Sequence, residues 1–456
     1  MKLIYQIGRL DAKSFENINF FYKDKEYSAQ LSSFVLKEHF EENKEKSKVI
    51  LIYPVSLLIN KSFLNNTQFP EVLKNTINNI LTNPENYFVN PRKYFMEHPH
   101  SKIADDFIII HSIGQYEGIN FFATLEDLIL EIFIDLVSRY QKEPFSELYL
   151  DISSGHNIYV SALLEAGRLF FTFYKLQNFH SKNDDLQVYI TFSDPILPPY
   201  DRKFMIREKF PLKVKAFFHY PETPHNNSLN DGYGAFAKLL TGEAKELRKK
   251  KNLLNELFSY GYFFYSAIKN NTPLVLYTWE YHPEEKIEEG ISVISTLVKD
   301  RLTANYQTTP NLDFNLFSSA FLMLSLYKGI VRVLQTYNIF KKEEVSLTEI
   351  KSKFLGNDSL YRCFGLIQNI PYLSHEINNT FEKEPERGGI NHLITEDYKL
   401  LREFIKGESD KINDRNFLAH CGFERNCVYV RKNEETLFIK YNKTELQKIE
   451  EILIKN

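Results

Sequence analysis

The chain has 456 residues, 43% of them hydrophobic and 25% charged, with a net charge of −3. That length suggests two or three domains, and the balance excludes both a disordered chain and a polycation, so any nucleic-acid surface must be local. The three cysteines, Cys363, Cys421 and Cys427, offer no disulfide framework and no zinc-type ligand set. They fit a reducing, cytoplasmic setting.

"MKLIYQIGRLD" begins as a strand (2–8) whose apolar run is broken by Gln6, Arg9 and Asp11, unlike a signal peptide. Helical spacing follows over 28–40, and buried strands are predicted over 48–56 and 106–114. A helix (123–140), a strand (147–153), a second helix (158–176) and strands over 186–193 and 213–220 complete the first half. Apolar strands alternating with helices predict a mostly parallel sheet covered on both faces, a doubly wound α/β domain. Near 219–232 the texture turns to Pro, Asn, Ser and Gly, a boundary signal.

Beyond that boundary the pattern is nearly all helical, over 234–268, 284–302, 312–337, 346–355, 359–380 and 395–420. The apolar run Leu316 to Tyr327 is stopped by Lys328, too short for a bilayer, so it reads as a buried helix and no membrane partner is expected. Val428–Val430 and Leu437–Tyr441 flank a polar turn and read as a hairpin, and a helix over 444–454 ends the chain.

Ligand-type features cluster at one end of the predicted sheet. In "DISSGHN" a strand ends and Ser153, Ser154, Gly155, His156 and Asn157 lead into a helix. Such a loop either receives a ligand at the carboxyl end of the sheet or simply caps the helix through Ser154 or Asn157. Gly8 and Arg9 follow the first strand at the same end, and Ser56, Gly114 and Gln115 follow the next two. "GYGAFA" (232–237) has no strand before it and is not a dinucleotide fingerprint. His98 and His100 in "EHPH" lack nearby thiols, and no metal site is expected. "KELRKKKN" (245–252) is a solvated basic face or an RNA contact, the former preferred.

"NDRNFLAHCG" (413–422) carries the strongest chemical signal. Arg415 offers a planar fork for phosphate, His420 titrates near neutrality, and Asn416 can orient either. Phe417, Leu418 and Ala419 are expected to pack the helix. Arg415 and His420 would be separated by roughly 140° around a helix axis, so two helices related by a two-fold axis would be needed to bring both types to one groove. This group suffices for metal-free cleavage of RNA, in which the 2′-hydroxyl attacks the neighbouring phosphorus.

"RNFLAH" is similar to the R-x4–6-H motif of HEPN ribonucleases, and "DISSGHN" resembles the ligand loop of CARF domains. In that order, the two resemble the ancillary ribonucleases of type III CRISPR systems. The resemblance implies a Rossmann-like CARF domain (1–222), a helical linker region (223–310) and a C-terminal helical HEPN domain with a small hairpin (311–456). It implies a homodimer, or a higher oligomer of dimers, that binds cyclic oligoadenylate, with cyclic tetra-adenylate the first choice. It also implies metal-free cleavage of single-stranded RNA to 2′,3′-cyclic phosphate ends. Arg415, Asn416 and His420 would be catalytic. Ser153, Ser154, Gly155, His156 and Asn157, with Gly8 and Arg9, would form the activator site. The competing readings are a CARF-type ligand-sensing protein without nuclease activity, and a HEPN toxin ribonuclease outside cyclic-oligoadenylate control.

Overall fold

The computed structural model describes all residues except 12–13, 68, 182–185, 197–202, 208–209, 222–244, 303–304, 311, 385–388, 408–410 and 456. The chain divides into two compact units. One comprises Met1–Thr172, Asn183–Lys215 and Ile294–Ser318; the other comprises Phe173–Lys182, Ala216–Val293 and Ser319–Asn456.

The first unit is built on a six-stranded sheet. Its order is Phe210–Pro211, Gln187–Thr191, Glu147–Asp151, Lys2–Ile7, Ser47–Pro54 and Asp106–Ile110. All neighbours are parallel except the short Phe210–Pro211 strand, which runs antiparallel to Gln187–Thr191. Near-continuous apolar runs make these strands: in Ser47–Pro54 every residue but Lys48 is buried, as both faces of a parallel sheet demand. The helix Leu125–Lys142 starts at a capping box in which Thr124 and Asp127 satisfy each other's backbone N–H groups.

The strand order carries a functional consequence. From the central strand Lys2–Ile7 the chain first adds strands on one side, Ser47–Pro54 and then Asp106–Ile110. It then returns to add Glu147–Asp151 and Gln187–Thr191 on the other. The direction therefore reverses between Lys2–Ile7 and Glu147–Asp151, and the loops leaving their carboxyl ends diverge to open a crevice there.

The second unit is mainly helical. It holds Lys245–Lys269, most of Glu284–Leu302 and Phe314–Thr336, and the shorter helices Leu347–Phe354, Leu360–Cys363 and Asn369–Ile377. Phe314–Thr336 is long and apolar enough to cross a membrane, but 83% of its apolar window is buried, as in a core helix. A four-stranded sheet, ordered Val345–Ser346, Thr436–Tyr441, Val428–Asn433 and Lys399–Leu400, is antiparallel throughout. The helix Leu446–Lys455 follows it.

Several expectations require correction. Ser28 and Ala29 belong to a strand, Lys25–Ala29, that pairs with Ile18–Tyr22; the helix begins only at Ser32. The 106–114 strand ends at Ile110, where the buried His111 turns to Glu131, and Ile113–Tyr116 then pairs with Ile119–Phe122. Residues 213–220 alternate in exposure like a strand but pair with no neighbour among the described residues, because an extended chain can satisfy a period of two without a ladder. The 359–380 helix is interrupted at Gly365, whose φ is +73°. The described residues of 395–413 contribute a two-residue strand and a single 3-10 turn, and the helix bearing the catalytic candidates runs only from Asp414 to Ala419. The "GYGAFA" segment, the first part of the 234–268 helix and residues 222–232 of the predicted boundary lie outside the described residues.

Candidate activator pocket and ribonuclease site

In the first unit, a pocket of about 390 Å³ lies at the crevice where the strand order reverses. Gly8, Arg9, Ser153, Ser154, Gly155 and His156 line it, together with Tyr159 and residues from the neighbouring strand ends. Asn157 is exposed at the first position of the next helix and is not part of the lining. Ser56 is buried, its N–H bonded to the Ser112 hydroxyl, and Gly114 and Gln115 sit in the hairpin; none of the three lines the pocket.

The loop is held from below. The buried Gln6 donates from Nε2 to the Ser154 and Ser32 hydroxyls and accepts at Oε1 from the Ser33 N–H. Ser154 Oγ donates to the Ile7 carbonyl at 2.6 Å, so it ties the loop to the central strand rather than capping the helix. Ser153 receives a different tie: its N–H donates to Asp151 Oδ1 at 2.9 Å, while its Oγ accepts from the Ser193 N–H at 2.8 Å. The first helical turn is closed by the His156 carbonyl, which accepts from the N–H groups of Tyr159 and Val160.

Two glycines here have geometric reasons. Gly155 has φ +110°, and a Cβ on it would lie 2.6 Å from Ile7 Cγ2. A Cβ on Gly8 would lie 2.1 Å from Cε1 of the fully buried Tyr53. Both let the loops close over the strand ends. Arg9 donates to the Gln30 carbonyl at 3.1 Å. Asp151 is fully buried and its Oδ2 accepts no hydrogen bond; burial pushes its carboxyl up to about 6, with Ser153 and Ser32 opposing.

His98 and His100, considered as a metal pair, are buried structural groups. His98 Nε2 meets the Arg9 carbonyl at 3.1 Å and His100 Nε2 meets the Ser14 carbonyl at 2.9 Å. Burial lowers both, His100 to about 4. Among the described residues no three His, Cys, Asp or Glu side chains converge as a metal-ligand set.

In the second unit, Asn413 Oδ1 accepts from the Asn416 N–H at 3.1 Å and starts the helix Asp414–Ala419. Cys421 and Gly422, at φ +53° and +79°, turn the chain away after it. The Gly422 N–H returns to the Phe417 carbonyl, which closes the end of the helix. A Cβ on Gly422 would meet the Tyr441 hydroxyl at 2.7 Å. Phe417 is fully buried and anchors the segment; Leu418 is only half-buried and Ala419 is exposed, so the packing falls to Phe417.

Arg415, Asn416 and His420 are all exposed. His420 stands just beyond the helix, at φ −98° and ψ 28°, with its N–H on the Asn416 carbonyl. That bond is the i to i−4 bond of an α-helix, so the His420 backbone still follows the last helical turn.

The ring of His420 reaches a residue that the sequence did not suggest. Its Nδ1 lies 3.1 Å from Oε1 of Glu376, on the helix Asn369–Ile377. The Thr380 hydroxyl donates to the same oxygen at 2.7 Å. Burial would raise Glu376, but the hydrogen bonds from His420 and Thr380 outweigh it and hold the carboxyl below its ordinary value. The hydrogen bond to Glu376 raises His420, against partial burial. Glu376 sits 44 residues before His420, on a helical stretch with no chemical motif of its own, so only the tertiary fold brings them together.

The first unit is therefore Rossmann-like with a pocket at its switch point, and the second is mainly helical and exposes Arg415, Asn416 and His420 on one short segment. Residues 2–195 match the family model described as CRISPR system endoribonuclease Csx1, CARF domain. Residues 367–443 match its counterpart, CRISPR system endoribonuclease Csx1, HEPN domain. Together the matches cover more than half of the chain, which belongs to the CARF–HEPN endoribonucleases of CRISPR systems.

Proposed function

We propose that this protein cleaves single-stranded RNA without a metal and is switched on by a cyclic oligoadenylate, cyclic tetra-adenylate first, in cytoplasmic type III antiviral defence. The division into a sensor (1–222), a helical linker (223–310) and a nuclease (311–456) is part of the same proposal. Arg415, Asn416 and His420 are the catalytic group; Gly8, Arg9 and Ser153 to Asn157 receive the activator. The observation that carries the reading is the exposure of Arg415, Asn416 and His420 on a short segment anchored by the buried Phe417. Polar groups held out by an apolar anchor are available to a substrate.

The chemistry follows from those side chains. The ribose 2′-hydroxyl attacks the adjacent phosphorus, the P–O5′ bond breaks, and a 2′,3′-cyclic phosphate and a 5′-hydroxyl result. Imidazole accepts the 2′-hydroxyl proton and imidazolium supplies one to the leaving oxygen. The Arg415 guanidinium meets the charge that grows on the phosphorane oxygens. One chain supplies one His420, so a two-fold pair of chains gives the groove both a base and an acid. A ring of repeating nucleotides can lie on the same axis, shared by two copies of the pocket.

The test is cleavage of a labelled single-stranded RNA in EDTA, with no activator, with cyclic tetra-adenylate and with cyclic hexa-adenylate. Activity stimulated by one ring and retained in EDTA is expected. Activity indifferent to both rings would favour a HEPN ribonuclease under other control, and no activity in any arm would favour a sensor without nuclease function.

A further inference from the structure

We infer that Glu376 is the positioning residue for His420: its carboxylate holds Nδ1–H and leaves Nε2 as the nitrogen that exchanges protons with RNA. The inference rests on the assignment of His420 proposed above and adds a residue outside the 415–420 segment.

The argument begins with donor and acceptor roles. An ionised carboxylate only accepts hydrogen bonds. Oε1 of Glu376 already accepts from the Thr380 hydroxyl at 2.7 Å, and it lies 3.1 Å from His420 Nδ1. The Nδ1 atom must therefore carry the proton in that contact. A neutral ring so held has its lone pair on Nε2, and a protonated ring has its exchangeable proton there. The backbone of His420 is pinned as well, its N–H on the Asn416 carbonyl and its carbonyl receiving the Phe423 N–H at 2.8 Å. Ring and backbone are thus fixed on one side, while half of the side chain stays open to solvent, at 52% exposure.

The Glu376 side chain is only 14% exposed, so its charge is poorly screened from the ring. Glu424 is the other carboxylate acting on His420, but it is buried and occupied by Asn426, which donates to both of its oxygens. His375 and the Cys421 thiol are also within electrostatic reach of Glu376. Cys421 is a buried thiol pushed up to about 12, so it stays neutral across the working range. Glu376 is therefore the group that both orients the ring and stabilises imidazolium.

The test uses the full-length protein as Glu376→Gln and Glu376→Ala, with His420→Ala as the reference. Nitrogen-15 NMR of the twelve histidines, with His420 assigned by its loss in His420→Ala, reads tautomer and titration without relying on activity. In the wild type, His420 is expected as the Nδ1–H tautomer. In both Glu376 variants it should titrate at lower pH, and in Glu376→Ala it should populate both tautomers. In parallel, RNA cleavage is followed with saturating cyclic tetra-adenylate from about pH 5.5 to about 8.5.

Expected are a kcat lowered about 10-fold in Glu376→Gln and about 100-fold in Glu376→Ala, within the range an acid–base group contributes. KM should hold and the His420 limb of the pH profile should move to lower pH. Glu376→Gln preserves shape and one acceptor, so it keeps the test open if Glu376→Ala fails to fold. Unchanged tautomer and titration in Glu376→Gln would overturn the inference, as would a raised KM with kcat intact. If His420→Ala cleaves like wild type, the assignment of His420 falls and takes this role with it. If His420→Ala is dead but the Glu376 variants cleave normally, only the role of Glu376 falls.

Discussion

Asp151→Asn probes the strand end that leads into the candidate pocket loop, and its effect can be worked from the structure. The carboxyl is fully buried, has no ion-pair partner among the described residues, and binds its proton up to about pH 6 against an ordinary 3.8. That gap corresponds to about 3 kcal/mol. Between those two values the folded protein holds more protons than the unfolded chain, so stability falls as pH rises through the window. The full penalty is present above about pH 6. Asparagine is never charged and escapes it, and the Ser153 N–H bond to the ionised carboxylate is already counted in that gap. The variant should therefore be about 3 kcal/mol more stable than wild type above pH 7, with the advantage shrinking to nothing towards pH 4. In a unit of this size about 3 kcal/mol corresponds to roughly 6–12 °C in Tm. Thermal unfolding of both proteins across the pH series, with hydrogen exchange of the Glu147–Asp151 strand to localise the effect, supplies the comparison. A Tm difference independent of pH, or an advantage for wild type above pH 7, would show that Asp151 is comfortably ionised and that burial does not dominate its environment.

Further outcomes follow from the same geometry. His420→Ala should reduce cleavage by about 10²–10⁴-fold while leaving the fold intact, because the ring is half exposed; a rate within about threefold of wild type would remove it from the mechanism. Arg415→Ala should behave alike and Arg415→Lys should rescue poorly, since lysine lacks the planar fork, as measured by kcat at saturating RNA. Cleavage should persist in excess EDTA and leave 2′,3′-cyclic phosphate ends, read by mass spectrometry of the fragments; strict magnesium dependence would point to other chemistry. Gly155→Val forces a side chain onto φ +110° and into Ile7. It should weaken calorimetric binding of cyclic tetra-adenylate and raise the concentration needed for cleavage. Asn157→Ala, lacking only an exposed amide beside the pocket, should do so more mildly.

What the sequence made legible follows from how local each signal is. The parallel strands were readable because burial on both faces requires an unbroken apolar run, and "KVILIYP" leaves few other options. The crevice was partly readable: residues after strands meet at one sheet end, and that end holds the pocket. Which two strands flank it depends on the strand order, and that order pairs Lys2 with Glu147, 145 residues away. Periodicity misled where charge and apolar residues happen to recur over 395–413. The true start of the short helix was written in Asn413, whose side chain caps Asn416, and its end in Gly422, which no side chain could replace beneath Tyr441. The segment itself therefore offers Arg415, Asn416 and His420 as the proposed catalytic group. The group that fixes the imidazole did not declare itself. Glu376 lies on a helix whose only distinction is that Thr380, one turn on, returns a hydroxyl to its carboxylate. A proton-transfer residue needs an orienting partner as well as its own ring. In a helical domain that partner comes from a different helix, so a linear motif can show the reacting group while leaving out what sets its tautomer.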